Sequence, residues 1–203
     1  MKYGEVFIVD DDEAIRDALT WLLQSRGLAA QAFDSAEDFL ERWNPAQAGC
    51  LLLDIRMSGM SGLDLFDRLR DVQARIPVIF LTGHGDVPMA VGALKKGARD
   101  FVEKPFNDNE LVDRVIEALE WNAQRRAAEA DSASLAARLA QLTLRERQVM
   151  ELVLAGKLNK VIADELGITM RTVEVHRAHV FEKMGVKTAV ELAQVLSSYK
   201  GER

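Results

Sequence analysis

The chain has 203 residues, 48% of them hydrophobic and 29% charged, with a formal net charge of -6. That is enough apolar material for two modest cores and excludes a disordered polymer. One cysteine, Cys50, in the apolar run Cys50-Leu51-Leu52-Leu53 excludes a disulfide scaffold and fits a reducing compartment. No run of about 18 apolar residues and no basic leader before an apolar stretch occurs, so the expectation is a soluble cytoplasmic protein without a membrane partner. The charge is uneven. Residues 1–122 hold 13 Lys+Arg against 22 Asp+Glu, net -9, whereas residues 123–203 hold 13 against 10, net +3. Only the second part is suited to a polyanion.

Short apolar strands alternate with amphipathic helical patterns through the first 120 residues, the pattern of a parallel sheet covered by helices on both faces. Glu5 to Asp10 is the first expected strand, and Ala14 to Ser25 a helix with Ile15, Ala18, Leu19, Leu22 and Leu23 at helical spacing, stopped by Gly27. Ala29 to Phe33 makes a weaker strand, and Ser35 caps a helix carrying Phe39, Leu40 and Trp43. Cys50 to Ile55 is strand three, with Ser61 opening the helix of Leu63, Phe66 and Leu69. Val78 to Thr82 is strand four, Val87 to Lys96 its helix, Asp100 to Lys104 strand five, and another helix starts after Asn107. From Glu110 to about Leu142 there is neither proline nor glycine, which predicts a long helical linker. The alternative is a disordered tether around Ala127 to Ser134, where serine and alanine dilute the apolar stripe.

In open parallel sheets ligands sit beyond the carboxyl ends of strands. Asp10-Asp11-Asp12, Asp54, Thr82 and Lys104 all stand at such ends. Asp10, Asp11 and Asp54 together call for a hard divalent cation, Mg²⁺, held by oxygen ligands. Asp54 is then a nucleophile that takes a phosphoryl group, Thr82 a hydrogen-bond partner for a new oxygen, and Lys104 a neutralising cation. Taken singly, an Asp-Asp pair after a strand is an ordinary solvated loop or helix cap, and a strand-end lysine an ordinary surface charge. The conjunction carries the reading.

Val9-Asp10-Asp11-Asp12, Leu53-Asp54-Ile55-Arg56-Met57, Leu81-Thr82-Gly83-His84-Gly85-Asp86 and Phe101-Val102-Glu103-Lys104-Pro105-Phe106 resemble bacterial two-component receivers of the NarL/FixJ class, over roughly residues 5 to 120. The resemblance implies a flavodoxin-like (βα)5 α/β fold with sheet order 2-1-3-4-5 and phosphorylation of Asp54 by a sensor histidine kinase. It also implies that the main-chain carbonyl of Arg56 joins the Mg²⁺ ligands, that Phe101 is a switch aromatic, and that Lys104-Pro105 is cis. Ser58 departs from the family's common proline, which removes a fixed φ and points to tuning of the phosphoryl lifetime.

Further on, Thr143-Leu144-Arg145-Glu146 is a capping box for a helix to Ala155. Asn159 is expected to cap Lys160 to Leu166, Gly167 to break that helix, and Thr169 to cap a third from Met170 to Met184; Thr188 opens a fourth. Two helices joined by a short glycine-containing turn, the second carrying Arg171, Thr172, His176, Arg177 and His179, match a helix-turn-helix. Arg145, Arg147, Lys157, Lys160, Arg171, Arg177, Lys183 and Lys187 are candidate phosphate contacts. The alternative is a helical bundle with a solvated face, and His176 with His179 are too few for a metal site.

Residues 142–196 resemble the LuxR-type helix-turn-helix, on Leu142-Thr143-Leu144-Arg145-Glu146-Arg147 and Arg171-Thr172-Val173-Glu174-Val175-His176-Arg177. That resemblance implies an all-α four-helix domain whose helix from Met170 enters the major groove of double-stranded DNA. Glu174, Val175 and Arg177 or Ala178 would then face bases or nearby phosphates. Glu174, where many relatives carry lysine, suits cytosine N4 and is repelled by phosphate.

The expected division is residues 1–122 receiver, 123–138 helical linker continuing the last receiver helix, and 139–203 DNA-binding. The leading reading is a phosphorylation-gated transcriptional regulator, an activator that dimerises when phosphorylated and has RNA polymerase as a further partner. Two readings compete: an aspartate-dependent phosphatase, which usually has a second carboxylate where this chain has Arg56, and a DNA binder indifferent to phosphate. The receiver would catalyse only its own phosphorylation and dephosphorylation.

Overall fold

A computed structural model of the chain describes residues 4–83 and 86–200. His84 and Gly85 of the receiver-like motif lie outside the described residues. The chain divides into two compact units, residues 1–126 and 127–203.

In the first unit five strands, β1 (Glu5–Val9), β2 (Ala29–Phe33), β3 (Gly49–Asp54), β4 (Val78–Thr82) and β5 (Asp100–Glu103), form one parallel sheet in the order β2-β1-β3-β4-β5. The inner strands are apolar almost throughout because helices cover both faces. Alternation along each strand sorts their side chains into two layers. Phe7, Phe33, Phe39, Leu53, Phe66 and Phe80 fill one, and Ile8, Leu23, Leu52, Leu81, Val115 and Leu119 the other. Helices α1 (Glu13–Ser25), α2 (Ala36–Arg42), α3 (Gly62–Asp71) and α4 (Val87–Lys95) alternate with the strands. Ser35 and Ser61 accept from the backbone amides of Asp38 and Asp64 as N-caps.

Element ends differ from the sequence reading by a residue. Asp10 and Lys104 lie just past their strands rather than inside them, and β3 starts at Gly49 and stops at Asp54. The register places Val9 beside Leu53, Asp54 beside Leu81 and Thr82 beside Glu103. It thereby gathers the polar strand ends at one rim.

Helix α5 runs unbroken over Asp108–Ala140, through the stretch for which a tether was the alternative. In the first unit Leu111, Val112, Val115, Ala118 and Leu119 bury one side of it; farther along, Leu135 joins the second unit's core. No helix of the described residues is long and apolar enough to cross a membrane.

The second unit continues with α6 (Leu144–Leu154), α7 (Asn159–Leu166), α8 (Met170–Met184) and α9 (Ala189–Lys200). Val149, Val153, Ile162, Ala163 and Val173 pack α6, α7 and α8 together, and Met150, Val180, Met184 and Leu192 tie in α9. Gly167, at φ 64°, turns α7 into α8, a left-handed conformation that glycine adopts without steric cost. One cap was misread. Leu158 occupies the N-cap of α7 without a side-chain hydrogen bond, and Asn159 is the first helical residue. Its amide oxygen accepts instead from Arg177 on α8.

Candidate functional site: an acidic strand-end pocket and a DNA-reading helix

At the carboxyl rim of the sheet, Lys104 Nζ donates to Asp10 Oδ2 at 2.8 Å and to Asp54 Oδ1 at 2.6 Å. Asp10 and Asp54 are buried, and their other oxygens accept from the main-chain amides of Asp12 at 3.0 Å and Arg56 at 2.7 Å. Burial lifts the Asp54 carboxyl above its ordinary value against the bonds from Lys104, and the neighbouring Asp10 charge adds to the rise. Burial works against the Lys104 ammonium, but its hydrogen bonds to Asp10 and Asp54 prevail and hold it charged. Asp54 is thus a carboxylate whose burial outweighs what the Lys104 ammonium supplies.

The other predicted residues fall around this centre. Asp11 turns its carboxylate to the amide of Ser58 at 2.8 Å, a bond that lowers its pKa. Among the described residues no three acidic, histidine or cysteine side chains converge as a ready metal cage. Asp12 caps α1 through the amide of Ala14. Among the described residues the fully buried Thr82 Oγ1 has no hydrogen-bond partner, an arrangement that costs about 1–3 kcal/mol unless an acceptor arrives. Phe101 is half-buried against the core layer of Phe80. The Lys104-Pro105 bond is cis.

Two features escaped the sequence reading. Arg56, considered there for its carbonyl and as a missing acid, extends its side chain to Asp86: Nε meets Oδ1 at 2.6 Å. Asp86, 5% exposed, stands at the N-cap of α4 yet makes no side-chain cap bond there. Gly62 is the other. A Cβ at this position would sit 2.0 Å from the carbonyl oxygen of Asp54, so only glycine lets α3 start this close to the phosphoacceptor candidate. Gly62→Ala is expected to cost about 1–3 kcal/mol by forcing α3 off β3. Urea denaturation measures the loss, and an unchanged midpoint would contradict the close approach.

In the second unit, the solvent face of α8 carries Arg171, Glu174, Val175 and Ala178, one stripe at helical spacing. Among the described residues Arg171, Glu174 and the exposed Lys160 make no side-chain hydrogen bond or ion pair, so all three are available to a ligand. Thr172 shares a hydrogen bond with Thr169 at the start of the helix. Arg145, Arg147, Lys157, Arg177 and Lys183 are engaged inside the unit. Arg177 donates to Asn159 and lies over the Phe181 ring, 5.5 Å from its centroid. Lys183 donates to Glu146 Oε2 at 2.7 Å and to the Gln141 carbonyl at 3.2 Å. Among the described residues the buried His176 Nδ1 has no partner, and His179 Nδ1 is 3.5 Å from Glu146, so the two histidines do not converge on a metal.

A doubly wound sheet with an acidic rim, joined in one chain to a helix-turn-helix, defines a class of signal receiver coupled to a DNA reader. The family described as response regulator receiver domain matches residues 6–116, and that described as bacterial regulatory proteins, luxR family, matches residues 140–196. The chain is 50% identical over 192 residues to the C4-dicarboxylate transport transcriptional regulatory protein DctR of Rhodobacter capsulatus, covering 94% of this chain and 98% of that one. It is 43% identical over 192 residues to the transcriptional regulatory protein FixJ of Bradyrhizobium diazoefficiens, covering 95% and 94%. Among solved structures, response regulator StyR superposes with a TM-score of 0.91 at 43% identity, over 97% of this chain and all of that one. The chain belongs to the NarL/FixJ-type response regulators, two-component transcriptional regulators that join a receiver to a LuxR-type DNA-binding domain.

Proposed function

We propose that Asp54 is the phosphoacceptor of this regulator and that its phosphorylation by a sensor histidine kinase gates DNA binding and activation of transcription. The observation that carries this reading is the Asp10-Lys104-Asp54 bridge beside the orphaned Thr82 hydroxyl. Asp54 presents a carboxylate oxygen, Lys104 holds a proton-rich cation against it, and Thr82 holds a donor with nothing to bond. A transferred phosphoryl group brings oxygens that satisfy both. Movement of Thr82 toward them would open space for the half-buried Phe101, reshaping the face around α4 and β5.

The donor set fits Mg²⁺. Asp10, Asp11 and Asp54 carry three negative charges against one from Lys104, all on hard oxygens, and Arg56, whose carbonyl is a further oxygen donor, follows two residues after Asp54. When bound, the cation would supply the charge neutralisation that lets an anionic donor approach an anionic nucleophile. Asp10, Asp11, Asp54 and the Arg56 carbonyl would hold it.

Residues 1–122 act as the receiver, 123–138 as a helical linker and 139–203 as the DNA-binding domain. Arg171, Thr172, Glu174 and Val175 read or approach bases. Lys160 grips phosphate and His176 approaches the DNA beside the reading face, with Arg177 and Lys183 joining once their internal partners are exchanged. Double-stranded DNA, a second copy of the phosphorylated chain and RNA polymerase are the partners, in the cytoplasm. The receiver catalyses only its own phosphorylation and dephosphorylation.

A small phosphodonor with Mg²⁺ should add one acid-labile phosphoryl group to the intact chain and none to Asp54→Asn, as read by mass spectrometry. Mg²⁺ alone, at about ten times its dissociation constant, should stabilise the wild type by roughly 1.4 kcal/mol. Phosphoryl uptake by Asp54→Asn at the wild-type level would refute the assignment.

A further inference from the structure

The turn between β3 and α3 offers its amides to carboxylates at alternate residues. The main-chain N–H of Arg56 donates to Asp54 Oδ2 at 2.7 Å, that of Ser58 to Asp11 Oδ2 at 2.8 Å, and that of Met60 to Glu37 Oε1 at 3.1 Å. Two of these acids, Asp54 and Asp11, are also candidate Mg²⁺ ligands. We propose that Ser58 sets the affinity of the acidic pocket for its cation, because its amide competes with Mg²⁺ for the Asp11 carboxylate.

On the reading of Asp10, Asp11 and Asp54 as the cation's ligands, on which this inference rests, Ser58 works against them. The three acids are not held alike. Asp10 and Asp54 are buried, and both bind Lys104 Nζ, which keeps them facing one centre. Asp11 is exposed and bonds across the rim to Ser58, 47 residues further along the chain. An amide on one carboxylate oxygen does not by itself bar a cation from the other. Here direction decides: among the described residues no three acidic side chains converge, so Asp11 stands turned from the other two and must leave Ser58 to join them.

A hydrogen bond to an ionised acceptor is roughly twice as strong as one between neutral groups, so displacing it weakens the cation's net hold. The donor is main chain, and proline is the residue that removes it, having no N–H. Proline is also what commonly stands at this place in the receivers that the chain resembles, so the competition comes with the serine. The bond from Met60 to Glu37 anchors the far end of the turn, and release of Asp11 frees the Ser58 amide without undoing that anchor.

Calorimetric titration of the full chain with Mg²⁺ tests the competition. Ser58→Pro should bind Mg²⁺ roughly three- to tenfold more tightly than wild type, whereas Ser58→Ala, which keeps the amide, should stay within about twofold. In the wild type, hydrogen exchange of the Ser58 amide, followed by NMR, should quicken at least about threefold on saturation with Mg²⁺. Exchange at Met60, whose partner Glu37 is not a ligand, should not change. If Ser58→Pro lowers the thermal midpoint, the wild-type exchange alone decides. Unchanged or weaker binding in a Ser58→Pro chain of wild-type midpoint, an equal gain in Ser58→Ala, or unaltered exchange at Ser58 would each overturn the role of Ser58. Where wild type still binds Mg²⁺ and takes up a phosphoryl group at Asp54, the ligand assignment survives that outcome; no saturable Mg²⁺ binding by any of the three proteins overturns both.

Discussion

Phosphorylated wild-type protein is expected to bind its operator about 5- to 150-fold more tightly than the unphosphorylated form, and Asp54→Asn to show no gain under the same treatment. The size follows from what a local event delivers through a two-state element. Phosphorylation of Asp54 would replace a single carboxylate charge with a phosphoryl group of about -2 at the sheet rim. That charge meets Lys104 and the unpartnered Thr82 hydroxyl, and each favours whichever state brings it closest. Fluorescence anisotropy of labelled operator DNA measures the shift. Equal affinity with and without the phosphodonor would leave Asp54 modified but disconnected, and the gating proposal would fail while phosphoacceptor chemistry stood.

Glu146→Ala is expected to destabilise the DNA-binding unit by about 2–3 kcal/mol, because it removes two things together. The carboxylate completes the capping box with Thr143 at the start of α6, and it is the buried partner of Lys183 on α8. The bond from Lys183 and the amide of Thr143 draw its pKa from 4.5 down to about 2. A depressed acid stabilises the fold above its ordinary value, and that stability is lost as pH falls toward about 2. The stability gap between wild type and Glu146→Gln should therefore be full at neutral pH and shrink between about pH 4.5 and 2. Hydrogen exchange of α6 and α8 amides over that range checks the sign, and a constant gap would contradict it. Freed from Glu146, Lys183 would also become available to DNA phosphate, as the sequence reading assumed it already was.

Much of the fold was legible because its signals are local. The runs Val6 to Val9, Leu51 to Leu53 and Val78 to Leu81 are fully buried apolar strands, each bounded by an acid, a hydroxyl or a proline. Ser35, Ser61, Thr143 and Thr169 announced their helices through a single side-chain oxygen three residues from its donor. Pocket residues could be picked out because strand ends in a parallel sheet share one rim. What sequence did not disclose were partners distant in the chain. Lys183 and Glu146 are 37 residues apart, Arg177 and Asn159 are 18 apart, and Arg56 and Asp86 are 30 apart. Each residue had a plausible local role, as a phosphate contact, a cap or a turn residue, and a tertiary contact took precedence over it. Gly62 carried a visible sign, a glycine directly after a cap, but the carbonyl it accommodates belongs to another element.

The Arg56-Asp86 pair gives the receiver a second adjustable quantity. The carboxylate that would normally close the first turn of α4 is held by an arginine two residues from Asp54, so one anion has two claimants. Arg56→Ala should free it to cap α4, slowing hydrogen exchange in that turn by a factor matching about 0.5–2 kcal/mol; faster exchange there would contradict this. Basal and stimulated output would then be separable in evolution. Substitutions at position 56 or 86 could reset the resting level of the regulator while the chemistry at Asp54 stays as it is.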